Sequence, residues 1–377
     1  MSVLDRVPGQ EAAVAFLRRA VQRPHHAYVF AGPEGSGKQL AARAFAAVLL
    51  CAERGCGDCR ACRLALGDRH PNVVVVEPEG RDIRVGSGGD EHGTARWMVA
   101  QSNLTAPEPG HKIFRVEQAD RMTEEAADVL LKALEEPPPD TVFILSSARP
   151  DELPETVRSR CHVVTFHPLA EALVVETLRG EGLDEARARV ASRLAGGNVG
   201  RARRVAADDE GLSFRDAALA ALQLSQTGAS GALAAAEQLI AASQEYRKSF
   251  GKRLEEELEP YLDPDTGAPM KHLRAEARRV QERHQRRERR AERDFLDWAL
   301  MALETWFRDA LLSAAGGERE WAINLDVETP RIPATVASEA IAVLEEARAA
   351  LADETNLNAR LVLERAFLAL SSAGVPA

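Results

Sequence analysis

Short continuous apolar runs alternate with amphipathic stretches along the first 166 residues, and the alternation defines the elements. After the turn Val7-Pro8-Gly9-Gln10, residues Ala13, Phe16, Leu17 and Ala20 recur at i, i+3, i+4 and i+7, which predicts an amphipathic helix. A strand begins at His26-Ala27-Tyr28, and a helix of almost entirely small apolar residues runs from about Lys38 to Leu50. Asn72-Val73-Val74-Val75-Val76, Ile113-Phe114-Arg115-Val116 and Thr141-Val142-Phe143-Ile144-Leu145 have the pattern of strands buried on both faces. Trp97 to Val99 reads as helix and Gly86-Ser87-Gly88-Gly89-Asp90 as a flexible loop. A strongly patterned helix, Glu124 to Glu135, is stopped by Pro137-Pro138-Pro139. Strands alternating with helices predict an α/β fold with a mostly parallel sheet covered on both faces.

The pattern changes after Phe166-His167-Pro168. Two helical segments precede the turn Gly196-Gly197-Asn198-Val199-Gly200-Arg201, and from about Glu210 long Ala/Leu-rich helices dominate, interrupted by Tyr261-Leu262-Asp263-Pro264-Asp265-Thr266-Gly267. Lys271 to Arg293 is charged nearly all round, which reads as a solvent-exposed helix supported by i,i+4 pairs, with nucleic-acid contact as the alternative. Phe295, Ala299, Met301, Leu303 and Phe307 approximate an apolar stripe, and Ala340 to Leu351 and Leu361 to Leu370 are compatible with further helices. The expected division is a phosphate-loop domain over residues 1–166, a small helical domain over 167–208 and an all-α domain over 209–377.

Composition adds bounds. A chain of 377 residues with 45% hydrophobic and 28% charged residues is long enough for two or three domains with cores of their own. A formal charge of −10 argues against a free-standing basic nucleic-acid binder, though not against a shared channel in an assembly. No signal peptide is read after Asp5 and Arg6, and no run reaches the roughly 20 apolar residues of a membrane span, so a cytoplasmic protein is expected.

Two motifs carry chemistry. Between the first strand and its helix lies G-x-x-x-x-G-K, from Gly32 to Lys38. Backbone amides of Gly35, Ser36, Gly37 and Lys38, together with the positive end of the helix, suit a polyphosphate, and Lys38 reaches its terminal groups. A chance Gly-rich turn is the alternative. The next position, where a hydroxyl ligates Mg²⁺, is Gln39. The second motif is Cys51-x4-Cys56-x2-Cys59-x2-Cys62, four of the five cysteines. Four thiolates make a closed tetrahedral Zn²⁺ site of structural type, against an unmetallated reduced loop.

His26-Ala27-Tyr28, the phosphate loop, the four-cysteine knuckle, Leu130-Leu131-Lys132-Ala133-Leu134-Glu135-Glu136-Pro137-Pro138 and Ser159-Arg160-Cys161 follow one another in this order. Across roughly residues 5–166 the chain thereby resembles the bacterial DNA polymerase III clamp loader, a branch of the AAA+ ATPases. The first cysteine gap is shorter than is usual in that family. The resemblance implies an AAA+ domain with a zinc module at 51–62, a helical lid over 167–208 and a collar over 209–377 that holds a ring together.

Two kinds of subunit share that layout, the ATP-hydrolysing gamma/tau motor and the delta-prime stator. A motor needs a hydroxyl after the loop lysine and an Asp-Glu pair at the end of the third strand. The matching positions here are Gln39, Glu117 and Gln118, so the expectation is a retired ATPase site of delta-prime type that binds ATP or ADP weakly, if at all, and does not hydrolyse it. Arg160 would act in trans as an arginine finger on a neighbour's γ-phosphate, or pair with a local carboxylate. Arg201 would sense nucleotide from the lid, with Arg203 and Arg204 nearby, or lie on a solvated face. Implied partners are gamma/tau and delta subunits in a five-membered ring, the sliding clamp and primer–template DNA. An active motor with unusual motif residues is the alternative, and an unrelated phosphate-loop kinase a weaker one.

Overall fold

The structure, a computed structural model, describes residues 2–78, 82–88, 91–207, 213–259, 262, 267–268, 270, 274–328, 331–352 and 358–372. It forms two compact units, residues 1–204 and 205–377.

The first unit is built on five parallel strands, β1 (Ala27–Ala31), β2 (Val73–Val76), β3 (Lys112–Val116), β4 (Thr141–Ser147) and β5 (His162–Thr165), in the order β2-β3-β4-β1-β5. β1 is central, pairing with β4 from Ala27↔Phe143 to Ala31↔Ser147 and with β5 from Tyr28↔His162 to Ala31↔Thr165. Side-chain alternation divides the sheet into two apolar layers. Tyr28, Phe30, Ile113, Val142 and Ile144 pack with α1 (Glu11–Ala20), α2 (Lys38–Leu50) and α3 (Arg60–Leu66). Ala27, Val29, Phe114, Val116, Phe143 and Leu145 pack on the other face with α4 (Ala95–Ser102), α5 (Glu124–Glu135) and α6 (Glu155–Arg158). Aromatic pairs hold both layers, Tyr28 with Phe45 at 5.1 Å and Phe114 stacked on Phe143 at 5.0 Å between ring centroids. Burying each such ring contributes about 1.5–3 kcal/mol.

Helix ends follow local chemistry. Thr123 caps α5, its hydroxyl accepting from the Ala126 amide at 3.2 Å, with Glu124 and Glu125 in the first turn and Lys132 in the last. The proline run then forbids continuation. α7 (Glu171–Gly180) and α8 (Glu185–Ala195) complete the helical part of this unit, α8 closing on Gly196 in the left-handed conformation. α9 (Val199–Ala207) follows at once, capped by Asn198, whose side-chain oxygen accepts from the Arg201 amide at 2.9 Å.

The second unit is all-helical, with α10 (Ser213–Ser225), α11 (Ala229–Leu258), α12 (Arg274–Ala314), α13 (Ala334–Ala352) and α14 (Ala359–Ser372). The predicted stripe Phe295, Ala299, Met301, Leu303 and Phe307 is buried, but so are Leu296, Trp298, Leu300 and Ala302. This stretch of α12 is therefore covered nearly all round, because α10, α11 and α13 all pack on it. Asp309 is fully buried and accepts from the amides of Ile323 and Asn324, which fixes the segment that follows α12.

Some expectations fall on residues outside those described. Of the Tyr261–Gly267 interruption only Leu262 and Gly267 are described, and Gly89 and Asp90 of the glycine-rich loop are not. Most side chains of the Lys271–Arg293 stretch lie outside as well, so neither reading of that stretch is tested. No described helix is long and apolar enough to cross a membrane.

Candidate functional site

In an all-parallel sheet the carboxyl ends of the strands line one edge, and ligands bind in the crevice there. The loop from Gly32 to Gly37 leaves β1 at that edge and delivers Lys38 as the first residue of α2. Gly37 caps the helix at φ 92° and Gly35 turns at φ 77°, both left-handed conformations that side chains disfavour. Gly35 also lies against Asn198, since a Cβ added there would stand 1.9 Å from the asparagine Cγ. Gln10 braces the loop from outside its own sequence. Its amide nitrogen donates to the Ser36 carbonyl at 2.9 Å and the His167 carbonyl at 2.7 Å, and its oxygen accepts from the His167 amide at 3.1 Å.

Lys38 is buried and turns back on the loop, donating to the carbonyls of Gly32 and of Pro33, the latter at 2.7 Å. Burial lowers its pKa, while the carboxylates of Glu34, Asp120 and Glu117 act to raise it. Among the described residues, the backbone amides of Gly35, Gly37 and Lys38 have no protein acceptor. The buried hydroxyls of Ser36 and Ser146 likewise have no partner. Unused donors at the positive end of α2, beside a lysine, are the donor set a polyphosphate requires. Gln39 is exposed at the head of α2.

The acidic side of the site differs from a magnesium-binding one. Glu117 follows β3 directly and is 6% exposed, with its Oε1 2.5 Å from Nη2 of Arg115. Arg115 is 1% exposed, and its Nη1 pairs with Asp68, which Arg43 of α2 holds from the other side at 2.7 Å. The four side chains form a chain of alternating charge beneath the phosphate loop's helix. Gln118 is held at φ 51° at the start of a 3₁₀ turn, Ala119–Arg121. Asp120 accepts from the Ala148 amide at 3.2 Å and lies 3.5 Å from Arg149. Glu117 is thus already neutralised by a cation of its own chain, and the residue after it carries no charge. This set does not suit Mg²⁺, which demands near-octahedral oxygen ligands.

The four cysteines converge. Cys51 ends α2, Cys59 caps α3, Cys62 lies in the first turn of α3, and all four sulfurs lie within 4.8 Å of one another. Cys51 Sγ is 3.7 Å from both Cys56 and Cys59. A tetrahedron of thiolates at the usual Zn–S length has edges of about 3.8 Å, whereas a disulfide needs about 2.05 Å. Cys51 belongs to the cluster despite its short gap, because Arg54, Gly55 and Gly57 all take positive φ and fold the loop back. Burial tends to raise the Cys51 thiol, but amide donors of Cys56, Gly55 and Glu53 outweigh it and bring the pKa down to about 6. Cys62 moves the other way, raised chiefly by burial. The knuckle also anchors the start of the chain, where the Val3 amide donates to the Gly55 carbonyl at 2.9 Å.

Arg160 follows α6. Its side chain is 37% exposed, and its guanidinium lies 2.5 Å from Oε1 of Glu135 at the end of α5 and donates to the Thr156 carbonyl at 2.8 Å. Arg158 pairs with Asp151 at 2.8 Å. Cys161 packs at the edge of the α4–α5 layer, and burial pushes its thiol up to about 12. In the first turns of α9 the Arg201 amide binds the capping Asn198, while Arg203 pairs with Glu181 at 2.7 Å. The Arg204 side chain lies outside those described. Sequence reasoning missed Arg115, Asp68 and Asn198. An arginine inside an apolar strand was a visible signal for the first, whereas the other two meet the site only through the fold.

Residues 9–170 match the sequence profile of the family described as "DNA polymerase III, delta subunit". A DNA polymerase III subunit delta' of Pseudomonas aeruginosa is 41% identical over 163 residues, 42% of this chain and 47% of that protein. The delta' subunit of Bacillus subtilis is 32% identical over 191 residues, 50% of this chain and 56% of its own. The subunit tau of the same organism is 31% identical over 179 residues, 45% of this chain and 30% of its own. The matches span about half the length of the delta' relatives. The resemblance is to the delta-prime kind of clamp-loader subunit, carried by the sheet domain with its phosphate loop and knuckle.

Proposed function

We propose that the chain is a delta-prime-type stator of a DNA polymerase III clamp loader, a subunit that hydrolyses no ATP itself and completes the ATP site of a neighbour. The observation that carries this reading is the state of its own site, where Arg115 neutralises Glu117 beside an uncharged Gln118 and an exposed Gln39. Hydrolysis needs a metal-bound hydroxyl, an acid to hold the metal shell and a group to orient water. None of the three positions offers the required chemistry. The phosphate loop keeps its amides and Lys38, so nucleotide binding and turnover are separate properties here.

Arg160 supports the second half of the proposal. It rests on Glu135, and that pair is between one third and one half exposed. Pairs of this kind contribute about 0–1 kcal/mol, so little is lost when the guanidinium leaves for a better anion. A γ-phosphate developing charge in a partner's site is such an anion, and the planar fork of arginine suits it. Zn²⁺ in the four-cysteine cluster would act structurally, joining α2, α3 and the start of the chain. Gamma/tau and delta subunits in a five-membered ring are the partners this reading names. The sliding clamp and primer–template DNA are the substrates of the assembly, and its C-terminal helical unit would serve as collar.

The experiment is ATP turnover by the purified, zinc-loaded chain with Mg²⁺. The expected result is no phosphate release above background, alone or with primed DNA. Sustained Mg²⁺-dependent turnover would replace the stator with the motor.

A further inference from the structure

We propose that the phosphate loop takes a nucleotide polyphosphate without Mg²⁺, because Arg115 already holds Glu117, the carboxylate placed to carry the metal. The proposal rests on reading Gly32–Lys38 as a phosphate cradle, and extends it to the form of the ligand. Arg115 of β3 and Glu117 just past its end lie two positions apart, and the face of β3 that carries Arg115 is the one packed against α2 and α3. The guanidinium is 1% exposed and makes one contact to each of two carboxylates, Glu117 at 2.5 Å and Asp68. Asp68 is held in turn. It sits at φ 56° just past the end of α3, the helix that carries Cys62, and Arg43 binds its Oδ2 at 2.7 Å.

A guanidinium in this position cannot be neutralised by losing a proton. For Mg²⁺ to use Glu117, the carboxylate would have to give up Arg115, leaving that buried cation with Asp68 alone, which Arg43 already shares, a costly way to break such a pair. Gln39 offers Mg²⁺ no hydroxyl, and Asp120 is already engaged by the Ala148 amide and Arg149. Lys38 faces three carboxylates, of which Arg115 covers Glu117 and Arg149 lies beside Asp120. Glu34, the strongest of the three, still opposes Lys38, so the pull on a polyphosphate comes from the positive end of α2 and from the loop amides without acceptors among the described residues. Those donors bind phosphate oxygens directly and need no metal between them.

The test is equilibrium binding of fluorescently labelled ADP and ATP to the full zinc-loaded chain. Titrations are run in buffer freed of divalent cations beforehand, with no chelator that would strip zinc, and again with excess Mg²⁺. Binding without Mg²⁺ at an affinity equal to or above that with it is the expected result. Mn²⁺ added to the protein–nucleotide complex should show only the free-nucleotide form by electron paramagnetic resonance. In Arg115→Met, checked for folding by its melting curve, Mg²⁺ should tighten binding by about tenfold, because Glu117 is then free to join the metal shell. Should that variant not fold, the wild-type titration and the Mn²⁺ spectrum decide alone. Nucleotide binding that requires Mg²⁺, protein-bound Mn²⁺, or no nucleotide binding in either buffer would overturn the proposal. The last of these leaves the stator reading standing, whereas Mg²⁺-dependent turnover would remove both.

Discussion

Gln39 and Gln118 were legible in the sequence as departures from a motor's site, and the proposed reading takes both as losses of function, since a motor needs a hydroxyl and an acid there. Arg115 was not, and it changes what those two substitutions mean. Restoring them in Gln39→Thr/Gln118→Glu should leave turnover at background, because Glu117 remains paired with Arg115 at 2.5 Å. Phosphate release by that double variant would show that the two glutamines alone had silenced the site. The spacing of Arg115 and Glu117, two positions apart, was readable. The link to Asp68, 47 residues away, was beyond any local pattern. His26 provides a residue-scale test of pH. Burial lowers its pKa, and the neighbouring His25 and His162 lower it further, against a raising contact with the Leu134 backbone. A histidine depressed below its ordinary value of about 6.5 is neutral in the fold and binds protons on unfolding. Its contribution to stability is therefore complete above about pH 6.5 and is lost as pH falls from there through the depressed value. His26→Asn should flatten the decline in melting temperature over that acidic window; an unchanged slope would assign the decline to other groups.

Elements were the most legible scale where local chemistry decides them. The alternation of short apolar runs and helices predicted the parallel sheet, and the proline run marked the end of α5, while its Thr123 cap emerged only in the structure. Thr123→Ala should cost about 1 kcal/mol of stability in a denaturant titration, the usual value for a lost cap. A change within error would mean that the hydroxyl bond at the Ala126 amide does not hold the helix end. The C-terminal helices were legible as helices, but the coverage of α12 on all sides was not, because it depends on which neighbours arrive. The knuckle joins elements that the sequence shows only in succession. Cys59 caps α3 and its sulfur lies 3.7 Å from that of Cys51 at the end of α2. Cys59→Ser and Cys51→Ser should each reduce bound zinc, measured by elemental analysis, from one per chain to a substoichiometric amount. Retention of full zinc by Cys51→Ser would leave a three-thiolate site with another ligand in its place.

At the scale of the whole molecule, the chain pairs a sheet domain that resembles delta-prime subunits with a C-terminal helical unit, and the proposed role needs both. The sequence pointed to Arg160 through the Ser159-Arg160-Cys161 motif, but its partner in the isolated chain, Glu135, became visible only in the fold. A side chain that is 37% exposed and held by an exposed carboxylate is not part of the core, so Arg160→Ala should leave the melting temperature and assembly unchanged. Its effect should surface only across a subunit boundary. An arginine finger supplies on the order of a thousandfold at its own site, diluted in a ring whose other sites fire independently. Arg160→Lys should not restore the rate, because an ammonium lacks the planar fork. The direct measurement is therefore DNA-stimulated ATP turnover of a reconstituted clamp loader containing either the wild-type chain or Arg160→Ala, with assembly verified in both. The account predicts a clear fall in turnover with the variant, and equal turnover in two intact complexes would contradict it.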